Sequence, residues 1–192
     1  MISKLGSVHR NQMGFAMVEM LVGVSVIGFI GAGLFMTTFQ TLDISNKNSG
    51  YMMAVKQVQN AGYWVSGDAQ MAQSIDITDD TGTPENEVLT LSWVGWERKD
   101  ASDNQYIDTV TVRYTHDGTQ LTRRLKISTE KYGSDGTLVG TTEEQKTAVV
   151  AQHITGLSVV KGANNKLTIT ITASVEDARE TNSYEITPRP SS

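Results

Sequence analysis

One carboxylate stands apart from the other Asp and Glu side chains of this 192-residue chain. Glu19 lies five positions into the run from Phe15 to Phe39, FAMVEMLVGVSVIGFIGAGLFMTTF. Seventeen of those 25 residues are hydrophobic, four are Gly, and only Glu19, Ser25, Thr37 and Thr38 are polar. An acid at mid-bilayer costs roughly 2.5–3.5 kcal/mol, less near the interface, so a carboxylate in such a segment normally has a partner and a task. No Lys, Arg or His lies between Phe15 and Thr41 to serve as that partner. A cut between Gly14 and Phe15 would create one, because Phe15 would then carry a free α-amine one helical turn from Glu19. The amine of a neighbouring copy would serve equally well. The chemistry indicated is processing of a peptide bond followed by a charge pair inside an apolar medium.

Other chemistry has little support. With no Cys, the chain has no disulfide, thiolate zinc site or Fe–S cluster. The motifs G-x-S-x-G, P-loop and G-x-G-x-x-G do not occur, and an enzyme is not expected. His116, before the Asp117-Gly118 turn, is expected to be exposed. It and His153 lack the acidic spacing of a metal site. The acidic stretch Asp76 to Glu87, DITDDTGTPENE, offers the oxygens calcium wants but not EF-hand spacing. No cofactor is therefore expected, with calcium at that loop the single candidate. Among three Trp, Trp93 falls on the apolar side of its strand and is expected in the core. Trp96 falls on the other side and is the one to test as a sugar platform, which would imply adhesion. The net charge of −5, from 16 basic and 21 acidic residues, makes nucleic acid an unexpected partner, because phosphate binding requires Lys and Arg.

The apolar run would be about 38 Å long as a helix, more than the roughly 30 Å of bilayer hydrocarbon. It is apolar on every side, and Lys4 and Arg10 before it would keep the N-terminus cytoplasmic. It is too long for a secretory signal and lacks a small-x-small cleavage site. A second helical pattern follows: Met52, Val55, Val58, Gly62, Val65, Ala69 and Ala72 recur at three and four. The spacing predicts a helix from Phe15 to about Gln73. Asn46, Asn48, Ser49 and Gly50 are poor interior residues, so a bend or break is expected at Ser45 to Gly50.

Strands are predicted at Val88 to Trp96 and across Val110, Val112 and Tyr114. After the Asp117-Gly118 turn comes another through Leu121, Leu125 and Ile127. Leu157 to Lys161, a turn at 162–165 and Leu167 to Val175 make a further hairpin, with Thr168, Thr170 and Thr172 on the opposite face. A short last strand at Tyr184 to Thr187 ends before Pro188 and Pro190. Asp76 to Glu87, Glu97 to Gln105 and Lys131 to Gln145 read as surface loops. The fold class is α+β, with the helix face buried on an antiparallel sheet.

The stretch from Met13 to Val22, MGFAMVEMLV, resembles the type IV prepilin processing motif. That resemblance implies that a prepilin peptidase removes residues 1–14, cutting between Gly14 and Phe15, and that Phe15 is then N-methylated. It implies that Glu19, fifth in the mature chain, assists docking into a filament. It also implies a pilin-like fold, although Met36 stands where many family members have the Pro that kinks the helix. The helix from Ala54 to Ile75, with Tyr63-Trp64 and Asp68, is similar to that of J-type minor pseudopilins and W-type minor pilins, as are HITGLSVV and KLTITITA to their final hairpin. The missing Cys pair agrees, because many major pilins staple a C-terminal loop with a disulfide.

The expected organisation is a leader at 1–14, an apolar helix at 15–39, its amphipathic continuation at 40–74 and an extracytoplasmic β domain at 75–192. Without the leader the charge becomes −7. The expected function is that of a minor subunit in a type IV pilus or in a secretion or competence pseudopilus. Its expected partners are the peptidase, other pilin subunits, a membrane assembly platform and, before assembly, the bilayer. The chain would sit in the cytoplasmic membrane as a single pass and later in a cell-surface or periplasmic filament. The alternative is an anchored β-domain adhesin or receptor that never assembles.

Overall fold

The computed structural model describes residues 12–77, 87–163 and 166–189. Most of the expected leader, the middle of the acidic loop and the tip of the 162–165 turn lie outside the described residues. The chain divides into two compact units, Met1–Asn48 and Ser49–Ser192.

Helix α1 (Gln12–Met71) provides all the described structure of the first unit and opens the second. From Met17 to Asn48 every side chain is exposed, Phe29 to 82%. The predicted break is absent, since helical backbone runs through Ser45 to Gly50. Low propensity there costs only a few tenths of a kcal/mol per residue, and about 1 for Gly. The Asp43–Lys47 pair at 2.8 Å supports the turn before it.

Among the described residues of the second unit nine strands form two antiparallel sheets: β1 (Ser74–Asp76), β2 (Glu87–Val94), β3 (Arg98–Lys99), β4 (Gln105–His116), β5 (Gln120–Tyr132), β6 (Leu138–Gln152), β7 (Ile154–Lys161), β8 (Leu167–Val175) and β9 (Ala178–Ile186). The larger sheet has the order β1-β2-β4-β5-β6 with β3 also on β4, and the smaller is β7-β8-β9. The Asp-Gly hairpin forms as predicted: Asp117 Oδ1 accepts from the N–H groups of Thr119 and Gln120, and Gly118 takes the left-handed φ of 95°. The last strand is longer than predicted, nine residues rather than four, because a two-residue turn at Glu176-Asp177 joins it directly to β8.

One predicted loop, Lys131 to Gln145, is largely strand, and another, Glu97 to Gln105, is strand only in part. Lys131 and Tyr132 belong to β5 and Leu138 to Gln145 to β6. Arg98-Lys99 form β3, and Gln105 begins β4. The first twelve residues of β6 are all exposed, so no face is covered and no apolar alternation marks the strand; backbone pairing to β5 holds it. At its end β6 bulges, with Leu121 opposite Ala151 but Thr122 opposite Val149. The extra residue lets Val150 and Ala151 both turn inward. His153, with φ of 58°, then turns the chain from one sheet into the other. Bonds from Ile154 N–H to Thr119 O and from Ser174 N–H to His153 O stitch the corner, each 2.9 Å.

One core joins the helix to both sheets. Ala54, Val58, Ala61, Val65, Ala69 and Ala72 of the helix side pack with Leu89, Leu91, Val112, Tyr114 and Leu121 of the larger sheet and with Ile154, Leu167, Ile169, Ile171 and Ala173 of the smaller. The buried helix face is the predicted one at Val58, Gly62, Val65, Ala69 and Ala72 and widens to take in Ala54, Ala61 and Asp68, while Met52, 71% exposed, lies off it. Alanine on that face lets backbone approach sheet closely. Gly62 carries this furthest, because a Cβ there would overlap the Tyr184 ring, whose hydroxyl donates to Val58 O at 3.2 Å.

Candidate functional site

In the first unit the polar side chains between Met17 and Phe39 fall into two kinds. Ser25, Thr37 and Thr38 each donate their hydroxyl to the carbonyl four residues back, those of Leu21, Gly33 and Leu34, at 2.8–2.9 Å. Such bonds remove the cost of carrying a hydroxyl into an apolar medium. Glu19 is the remaining one. It is exposed, and no hydrogen bond or ion pair joins it to another described residue. Gly14 and Phe15 lie in helical backbone, with Phe15 one turn before Glu19. Helix α1 is long and apolar enough to cross a membrane.

In the second unit the Tyr63-Trp64 and Asp68 stretch meets the sheet. Asp68, 8% exposed, accepts from Arg123 Nε at 2.7 Å and Nη2 at 2.8 Å, a bidentate fork, and from the Tyr114 hydroxyl at 2.5 Å. Tyr114 and Arg123 are register partners on β4 and β5, so the helix carboxylate lies over a cross-strand pair. Trp64 completes the group, with the guanidinium 5.1 Å from its ring centre. Burial, then the Asp68 charge, raises the Tyr114 hydroxyl well above its ordinary pKa. The hydrogen bonds to Asp68 raise that of Arg123. The cluster is a lock between helix and sheet with every buried polar atom paired. Asn60 and Gln57 add a second tether, to Val150 O at 2.7 Å and from Gln152 N–H at 2.8 Å, at the β6 bulge.

Sequence reasoning singled out Trp64 and Asp68 but missed Arg123 and Tyr114. A signal existed: Arg123 occupies the apolar register of Leu121, Leu125 and Ile127, a position a lone cation would leave.

His116 is half-buried rather than exposed, its Nε2–H donating to Ile154 O at 2.9 Å as part of the corner. His153 is exposed at that corner, and no group of three metal-ligating side chains occurs among the described residues. The calcium candidate falls largely on residues 78–86, outside those described. Trp93 is partly buried against the core, and Trp96 is 82% exposed. No family model matches the chain, and neither a curated protein nor a solved structure does.

Proposed function

We propose that this chain is a minor pilin or pseudopilin, a structural subunit and not an enzyme. The subunit waits in the cytoplasmic membrane with the helix from Phe15 to about Phe39 in lipid. A prepilin peptidase removes the residues up to Gly14 and leaves Phe15 as the methylated terminus. An assembly platform then lifts the helix out of lipid and into a bundle of like helices. Both surroundings are apolar, so the hydrophobic term changes little and does not by itself direct the transfer.

The observation that carries the reading is Glu19. Among the described residues it is the polar side chain of the apolar stretch without a bond inside its own helix, while Ser25, Thr37 and Thr38 are satisfied there. Its cost in lipid is relieved when it meets the α-amine of a subunit, which gives assembly a direction and a register. In the alternative, an anchored β-domain adhesin or receptor, that carboxylate has no task.

Glu19→Ala tests the difference. Processing should be unchanged, while recovery in sheared filaments, or cross-linking to neighbouring subunits in a pseudopilus, should fall at least roughly tenfold. That factor corresponds to about half the insertion cost of the acid. Normal incorporation of the variant would overturn the mechanism.

A further inference from the structure

At the end of β2 a cleft of about 480 Å³ is lined by Met71, Gln73, Trp93, Val94, Trp96 and Arg189. Its volume lies within the roughly 300–1,000 Å³ of small-molecule sites. Its apolar wall is left in water: Trp96 is 82% exposed, Met71 52% and Val94 47%. A contiguous apolar patch with a few polar groups at its rim marks a ligand groove.

The polar groups narrow the choice of ligand. Gln73 is fixed at both ends, its N–H donating to Ser92 O at 2.9 Å and its Oε1 accepting from Val94 N–H at 3.1 Å. Among the described residues no acceptor takes its Nε2 hydrogens. Arg189 is exposed and forms no ion pair or hydrogen bond with another described residue. The strand end itself offers no row of free N–H groups to an added peptide strand, since Val94 N–H is taken by Gln73 and Gly95 N–H by Asp108 O at 2.6 Å. Recognition therefore falls to side chains: a flat indole, an amide donor and a guanidinium fork. A pyranose ring stacks its C–H face on an indole, a hydroxyl accepts from an amide, and a carboxylate matches the fork.

We propose that this cleft binds an acidic sugar unit of the hexuronate type, with its ring on Trp96 and its carboxylate on Arg189. The rest of the chain is acidic, −5 overall, so general attraction of polyanions does not account for such binding. The site stands whether or not the subunit is assembled into a filament.

Tetrasaccharides of hyaluronan, alginate and polygalacturonate are titrated into the full chain in detergent micelles. Chitotetraose is the neutral counterpart, and tryptophan fluorescence and calorimetry are the readouts. At least one acidic ligand should saturate the site and bind about tenfold tighter than chitotetraose, the factor expected of a charge-assisted bond. Trp96→Ala should weaken binding at least roughly tenfold. Arg189→Gln should remove the preference for the acidic ligand, and Arg179→Gln should change nothing. Trp96 and Arg189 are surface residues, and an unchanged near-ultraviolet circular dichroism spectrum away from the Trp96 band checks the fold of each variant. No saturable binding of any acidic ligand up to about 10 mM, equal binding of the neutral one, or binding indifferent to either variant would each overturn the proposal.

Discussion

Asp68→Ala should be among the most damaging single changes in the β-sheet unit. The substitution removes two bonds from Arg123, at 2.7 and 2.8 Å, and one from Tyr114, at 2.5 Å. The side chains of the ion pair are 15% and 11% exposed. Taking one partner from a buried pair costs roughly 3–5 kcal/mol, because the other charge is left uncompensated. The guanidinium keeps some water and the face of Trp64 at 5.1 Å, which holds the cost to the lower end. Tyr114, 1% exposed, also loses its acceptor, worth about 1–3 kcal/mol.

The two losses share one carboxylate and do not add, so the expected total is about 3–4 kcal/mol. That corresponds to a fall in melting temperature of about 10 °C. Thermal and urea unfolding of the full chain in mild detergent, followed by near-ultraviolet circular dichroism, measures it, with Trp64 as the local reporter. Arg123→Ala and the double variant complete a cycle whose coupling should be about 2 kcal/mol. A single-variant cost below about 1 kcal/mol, or an additive cycle, would refute the lock.

Two further outcomes follow from the same unit. Gly62→Ala gains about 1 kcal/mol of helix propensity but pushes the Tyr184 ring off the helix. The net loss should be about 1–2 kcal/mol, and Gly62→Ala combined with Tyr184→Ala should relieve the clash, as paired melting curves would show. The Tyr114 hydroxyl is held above its ordinary value of 10.0, so its contribution is complete below that pH and is lost as pH rises toward the higher folded value. Stability should therefore decline above about pH 10, and Tyr114→Phe should flatten that decline while costing about 1 kcal/mol at neutral pH, as unfolding curves across the alkaline range would reveal.

The apolar helix was legible because seventeen hydrophobic residues in a row of 25 admit few other structures. The hairpins at Asp117-Gly118 and around 162–165 were legible for a related reason, since one covered face imposes alternation on a strand. Thr168, Thr170 and Thr172 opposite Leu167, Ile169, Ile171 and Ala173 are the plainest case, although Thr172 itself is nearly covered, its hydroxyl 2.9 Å from that of Thr181. Strand β6 was not legible, because most of it is covered on neither side and its polar residues carry no period. The helix face was misplaced around Met52 because hydrophobicity alone favours Met over Ala. The sheets select the small residues Ala54 and Ala61 so that the backbones can approach.

At the candidate site, Glu19 was visible as an acid out of place. The Asp68 lock was only half visible. An acid on an apolar helix face and a base on an apolar strand face each look like an error until they meet, and their separation of 55 positions along the chain hides the meeting.

The most direct test of the central claim is mass spectrometry of the N-terminal peptide of the mature protein from its native membrane or filament fraction. An assembled, processed subunit predicts a peptide that begins at N-methyl-Phe15. A mature chain that still begins at Met1 would contradict it.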